Sequence, residues 1–218
     1  MAALEAAGHR VWAPDLPGYG EAALEPGHVD YVAVASALLE GAAAVVGCSF
    51  GGRVALELAV TRPELVGRLV LVGAAIAGWD WSDDARAGHA EEEELLERGD
   101  LAAAAAQQAR MWLAVGASRE VRELTEAMTL RSYEQQLPLE HQVRAVWPEP
   151  AAPERLGEVA APTLVAVGSE DLPDIRRMAE RLADGIAGAR LVTIEGAAHL
   201  PSLEQPEALN RLLLEFVA

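Results

Sequence analysis

The chain has 218 residues, 51% of them hydrophobic, and carries 34 acidic against 17 basic side chains, a formal net charge of −17. Such an acidic surface repels nucleic acid and anionic lipid. No apolar run approaches the ~18 residues of a membrane span, and the N-terminal "MAALEAAGHRV" lacks the basic-then-apolar order of a secretory signal. The single cysteine, Cys48, excludes an intrachain disulfide, fits a cytoplasmic location and reads as a small buried residue rather than a nucleophile.

In chain order, the pattern predicts strands at Arg10–Leu16, Ala43–Ser49, Leu69–Gly73, Thr163–Gly168 and Leu191–Ile194. They are near-continuous apolar runs, the pattern of strands covered by helices on both faces. Between them, Tyr31–Leu39 and Phe50–Thr61 read as helices, the second stopped before Pro63. Ile175, Met178, Leu182 and Ile186 share one face of a third, and Leu209, Leu212, Leu213 and Phe216 share one face of the last. The alternation predicts an α/β fold with a mostly parallel sheet and right-handed crossovers.

Ala77–Pro150 interrupts the alternation. It is rich in Glu, Ala and Arg, shows no strand pattern, and holds Trp79, Trp81, Trp112 and Trp147. It is expected to be a helical insertion over one end of the sheet. Residues 1–76 and 151–218 then form the core, and 77–150 a helical cap. The tryptophans either shape an apolar pocket or anchor helix packing. The acidic run Glu91–Glu94 reads as a solvated helix face, so no metal site is expected, and no cofactor.

The stretch "VVGCSFGG" (Val45–Gly52) puts Ser49 between an apolar strand and a helix, in a Gly47-x-Ser49-x-Gly51 frame. That context is the one a nucleophile elbow requires. The turn is tight, the serine backbone is strained, and side chains two positions either way would collide. A serine hydroxyl needs a base to accept its proton. Of the five histidines, His199 in "IEGAAHLPSLEQPE" follows the last strand, at the sheet edge where Ser49 lies. His9 and His28 read as surface residues, and His89 and His141 fall in the insertion. The histidine needs a carboxylate to hold its tautomer. Asp171 in "VAVGSEDLPD" follows the penultimate strand; Glu170 and Asp174 compete, with strand-end position favouring Asp171 over Asp174. The chain order Ser49, Asp171, His199 is nucleophile, acid, base.

These segments resemble the α/β-hydrolase superfamily of the small, helically capped type. "APDLPGYGE" is similar to that family's fourth-strand segment, "VGCSFGG" to its elbow, "VGSEDLPD" to its acid loop, and "GAAHLPSLEQPEALNRLLLEF" to its histidine loop and final helix. The nearest flavour is that of 3-oxoadipate enol-lactonase-like proteins. The resemblance implies Ser49 as nucleophile, Asp171 as acid, His199 as general base, and the Phe50 N–H as an oxyanion donor. It implies a small ester or lactone as substrate. Serine at position 49 argues against haloalkane dehalogenation, which uses aspartate there.

One family feature has no counterpart. The N-terminal hairpin and the third strand, with its His-Gly loop, are absent, so the chain reads as an N-terminally shortened member. The missing strand belongs between Arg10–Leu16 and Ala43–Ser49. A buried gap of unpaired backbone is costly. The gap is therefore not expected to stay open: either Arg10–Leu16 slides across to pair with Ala43–Ser49, or another chain supplies a strand, as in a homodimer, or the start is a truncation. The oxyanion hole is expected to be incomplete and activity weak. A competing reading is a catalytically impaired, hydrolase-like binding or assembly protein.

Overall fold

The computed structural model describes residues 1–218. Its central sheet has four parallel strands in the order β2-β3-β5-β6: β2 is Ala43–Cys48, β3 Val66–Val72, β5 Thr163–Gly168 and β6 Arg190–Ile194. Two short strands, β1 (Gly27–Val29) and β4 (Val143–Ala145), pair in parallel beside it, Gly27 opposite Val143 and Val29 opposite Ala145. Helix α1 (Ala2–Ala6) opens the chain and α2 (Tyr31–Ala37) follows β1. Helix α3 (Ser49–Thr61) crosses from β2 to β3, and α7 (Pro173–Gly185) from β5 to β6. A short α8 (Pro201–Glu204) and α9 (Pro206–Val217) end the chain.

The two sides of each central strand go to two different cores. Leu69, Leu71, Val165 and Val167 face α3 and α7, packing with Leu56, Leu58, Ile175, Met178, Leu182 and Ile186. Val70, Val72, Leu164 and Ala166 face the other way, against Leu209 and Leu213 of α9, with Leu4 of α1 at the margin. This two-sided burial is why β3 and β5 read as unbroken apolar runs rather than alternating ones. It also sets all four strand C-termini at one edge, where crossover loops carry functional groups.

Between β3 and β5 lie α4 (Asp83–Glu97), α5 (Leu101–Trp112) and α6 (Arg119–Gln136). Each starts on a side chain the sequence supplies: Ser82, Asp100 and Ser118 accept the N–H groups of Ala85, Ala103 and Val121. Ala104, Ala105 and Ala109 of α5 are fully buried, and Gln107 donates to the Gly88 carbonyl at 2.9 Å, so α4 and α5 approach closely. Helix α6 grips the turn at Gly18–Gly20, with Arg131 and Gln135 both donating to the Gly20 carbonyl at 2.7 Å. Asp174, 1% exposed, ties the insertion to α7 by accepting from Trp79 Nε1, Ser82 N, Ser82 Oγ and Arg177. All four tryptophans of the insertion pack on the main core. No helix is long and apolar enough to cross a membrane.

Three expectations need correction. Arg10–Leu16 is not a strand; it runs alongside β2 without a ladder. The segment contains Pro14, which has no N–H to donate, and it lines, together with Ala44 and Val46 of β2 and Leu213, a cavity of about 1120 Å³. The gap therefore stays open, and β2 is an edge strand with Val46 45% exposed. The insertion also contributes a strand after all: β4, three residues long, was too short to leave a periodic trace.

Candidate active site

Ser49 is the first residue of α3 and the only non-glycine residue with positive φ, +50°. An L-residue in that region costs about 1–3 kcal/mol and persists only where its surroundings dictate it. Two of those surroundings are glycines. A Cβ at Gly47 would overlap the Gly51 carbonyl, and one at Gly52 would lie 2.5 Å from Ala74 Cβ. Gly51 is different: a Cβ there meets nothing within 4 Å, so the collision expected on that side of the serine belongs to Gly52 instead. The strain delivers Ser49 at the end of β2, where the first-turn N–H groups of α3, that of Phe50 among them, have no acceptor within the helix. The Phe50 ring is fixed by Tyr31, Tyr19 and Trp147, at centroid distances of 4.9, 5.7 and 5.8 Å.

Asp171 follows β5 and His199 follows β6, and each is 4% exposed. His199 Nδ1 lies 3.0 Å from Asp171 Oδ2 and 3.2 Å from Oδ1. Asp171 Oδ1 also accepts the Leu172 N–H at 2.8 Å, which fixes the carboxylate plane. Gly73, with φ +49°, makes room for the pair, because a Cβ there would stand 3.2 Å from His199 Nδ1 and 3.3 Å from Asp171 Oδ2. Cys48, next to Ser49, reaches the His199 carbonyl with its sulfur at 3.7 Å. The structure joins Asp171 to His199 by hydrogen bonds but shows none between Ser49 Oγ and the imidazole; the elbow meets the histidine loop through Cys48 and the His199 carbonyl. The elbow strand and the histidine loop thus meet at the same strand ends.

The other candidates are accounted for. Burial, followed by the charge of Asp171, pushes the Cys48 thiol up to about 12, so it stays protonated and is no nucleophile at neutral pH. Glu170 is exposed, and Asp174 is spent on the insertion. Burial opposes ionisation of Asp174, but the hydrogen bonds from Ser82, Trp79 and Arg177 outweigh it and hold the carboxyl well below the usual carboxylate range. His28 and His141 are exposed and His9 is half-buried near the N-terminus. His89 sits between Trp81 and Trp112, with ring centroids at 5.2 and 6.1 Å, and beside Glu92 at 3.9 Å. Nowhere do three or more His, Cys, Asp or Glu side chains gather as metal ligands.

A family profile described as "Alpha/beta hydrolase family" matches residues 1–212. The chain belongs to that family. It is an enzyme of the α/β-hydrolase class, with the corresponding fold. Among its relatives is a protein of Variovorax paradoxus provisionally named carbamate hydrolase RutD, 33% identical over all of this chain and 85% of its own length. A pimeloyl-[acyl-carrier protein] methyl ester esterase of Neisseria meningitidis is 30% identical over 95% of this chain and 82% of its own length. Among solved structures, a hydrolase from Pseudomonas aeruginosa superposes with a TM-score of 0.74 at 27% identity, over 94% of this chain and 78% of that one.

Sequence reasoning passed over three residues at the site. Gly73 carries no signal apart from ending an apolar run. Glu204 falls inside the "LPSLEQPE" stretch but reads as a surface glutamate. Trp112 was visible only as one of four tryptophans, with nothing to tie it to His199.

Proposed function

We propose that this α/β hydrolase cleaves a small carboxylic ester or lactone through Ser49, His199 and Asp171. The observation that carries the reading is the buried Asp171–His199 pair at 3.0 Å, at the strand ends where Ser49 is held at positive φ. Asp171 holds the Nδ1–H of His199, which leaves Nε2 free to act as a base. His199 takes the Ser49 proton as Oγ attacks the carbonyl, and the tetrahedral oxyanion forms against the free Phe50 N–H. Collapse expels the alcohol, which receives the proton from His199; in a lactone the alcohol stays tethered to the acyl group. Water, deprotonated by His199, then attacks the acyl-serine, and the same collapse releases the acid and restores Ser49. No second oxyanion donor is assigned. Helices α4–α6 act as the cap over this site, residues 77–150 against a core of 1–76 and 151–218.

The test is covalent labelling with a fluorophosphonate, together with turnover of p-nitrophenyl acetate and a small aliphatic lactone. Labelling at Ser49 that vanishes in Ser49→Ala, with turnover lost alongside it, is the expected result. An unlabelled wild-type chain would reject the reading. A carbamate is the second candidate, favoured by the 33% identical relative named for that activity. It requires the same serine attack but releases an amine or ammonia, so ammonia release without lactone turnover would move the assignment to it.

A further inference from the structure

The triad leaves two side chains near it unused. Trp112 ends α5, and its indole lies against the His199 imidazole, with ring centroids 4.4 Å apart and planes inclined by 37°. The indole is itself held, because its Nε1–H donates to Gln108 Oε1 at 2.6 Å. The Trp112 carbonyl accepts the His199 N–H at 3.0 Å. Two residues further on, the Ala114 N–H donates to Glu204 Oε1 at 2.7 Å. The other oxygen of that carboxylate, Oε2, accepts the N–H groups of Ala198 and Leu200, each at 3.0 Å. Three consecutive amides of the histidine loop therefore end on one carboxylate and on the last carbonyl of an inserted helix.

We infer that Trp112 and Glu204 are positioning residues that hand the orientation of His199 to the insertion. The inference rests on the reading of His199 as the general base. A loop lacks the repeating hydrogen bonds of a helix or strand, so its side chain is only as well aimed as its anchors. Here the anchors belong to α5 and to α8, and α5 is part of the insertion. Glu204 joins them: one oxygen binds the insertion, the other binds the amides on both sides of His199. Trp112 fixes the plane of the ring by contact, and its π face favours the imidazolium that forms when His199 accepts a proton. The catalytic pair is thus fully assembled only while the end of α5 is seated. Displacement of the insertion by substrate or solvent slackens the base.

The experiment compares wild type with Trp112→Ala, Trp112→Phe, Glu204→Ala and Glu204→Gln. Folding is monitored by far-ultraviolet circular dichroism and thermal melting. Three quantities are read: the rate constant for fluorophosphonate labelling of Ser49, kcat and KM for p-nitrophenyl acetate, and the downfield proton resonance of the His199 Nδ1–H. A misplaced catalytic group costs about 10²-fold, and the two alanine variants are expected to lose about that in labelling rate and kcat, with KM little changed. Their downfield resonance should broaden by exchange. Trp112→Phe, which keeps a ring face, should fall between Trp112→Ala and wild type, as should Glu204→Gln, which keeps one acceptor. Folded variants with wild-type labelling and a sharp resonance would overturn the inference and leave the proposed function standing. If an alanine variant does not fold, the Phe and Gln variants decide: equality with wild type overturns the inference, and an intermediate rate with a broadened resonance supports it. A wild-type chain that resists labelling would overturn both.

Discussion

Gly47, Gly51 and Gly52 surround the same serine, yet the space around each differs. Cβ atoms at positions 47 and 52 run into the Gly51 carbonyl and Ala74, whereas position 51 opens toward the cavity beside β2. Overpacking of this kind costs about 1–3 kcal/mol, and at the elbow it also displaces Ser49. Gly47→Ala and Gly52→Ala should therefore lower the melting temperature and suppress labelling of Ser49. Gly51→Ala should do neither. Position 51 lies inside α3 without positive φ, so alanine there should add about 0.5–1 kcal/mol of stability through its lower backbone entropy. Thermal melts of the three variants, each paired with a labelling assay, check the pattern. The sequence motif treats Gly47 and Gly51 as equivalent flanks; the distances separate them.

Among the elements, those legible in the sequence are the ones whose own residues determine them. β3 and β5 were readable because helices bury both faces of each, whereas residues 77–150 were legible only as helical in composition, not as three helices begun on caps at Ser82, Asp100 and Ser118. Asp171 and His199 stand at one edge because a parallel sheet sends every strand end there. Arg10–Leu16 was misread because apolar composition cannot report whether a neighbour is present to ladder with. β4 was missed at three residues. Asp174 shows the same limit, since three of its four hydrogen bonds span from α7 to Trp79 and Ser82 in the insertion, more than ninety positions away. Asp174→Ala would strand those donors, and a hydrogen bond to a charged group is worth about 1.5–3 kcal/mol. A loss of about 2–3 kcal/mol in urea unfolding is expected, with the insertion loosened first. The pH dependence has a definite sign. The folded carboxyl titrates below its ordinary value of 3.8, so its stabilisation is present above that pH and is lost as pH falls toward the lower folded value. Acid unfolding below pH 4 should be steeper in wild type than in Asp174→Asn.

At the scale of the whole molecule, the sheet is asymmetric. β3 and β5 are bonded on both sides, whereas β2 is bonded to β3 alone and looks across a cavity of about 1120 Å³ toward residues 9–16. Amide hydrogen exchange should report this directly. Backbone N–H groups alternate in direction along a strand, so every second amide of β2 should exchange at least about 10²-fold faster than the amides of β3 and β5. Uniform protection across all three strands would mean that the cavity closes in solution. Along the uncovered side of β2, a row of free donors and acceptors is a template for any extended peptide, including one from another molecule. The net charge of −17 opposes such pairing between copies, and its reach shrinks from ~30 Å at 0.01 M salt to ~10 Å at 0.1 M. Colloidal stability is thereby bound to ionic strength: dilute buffer keeps the molecules dispersed, and concentrated brine removes the barrier to their clustering edge to edge.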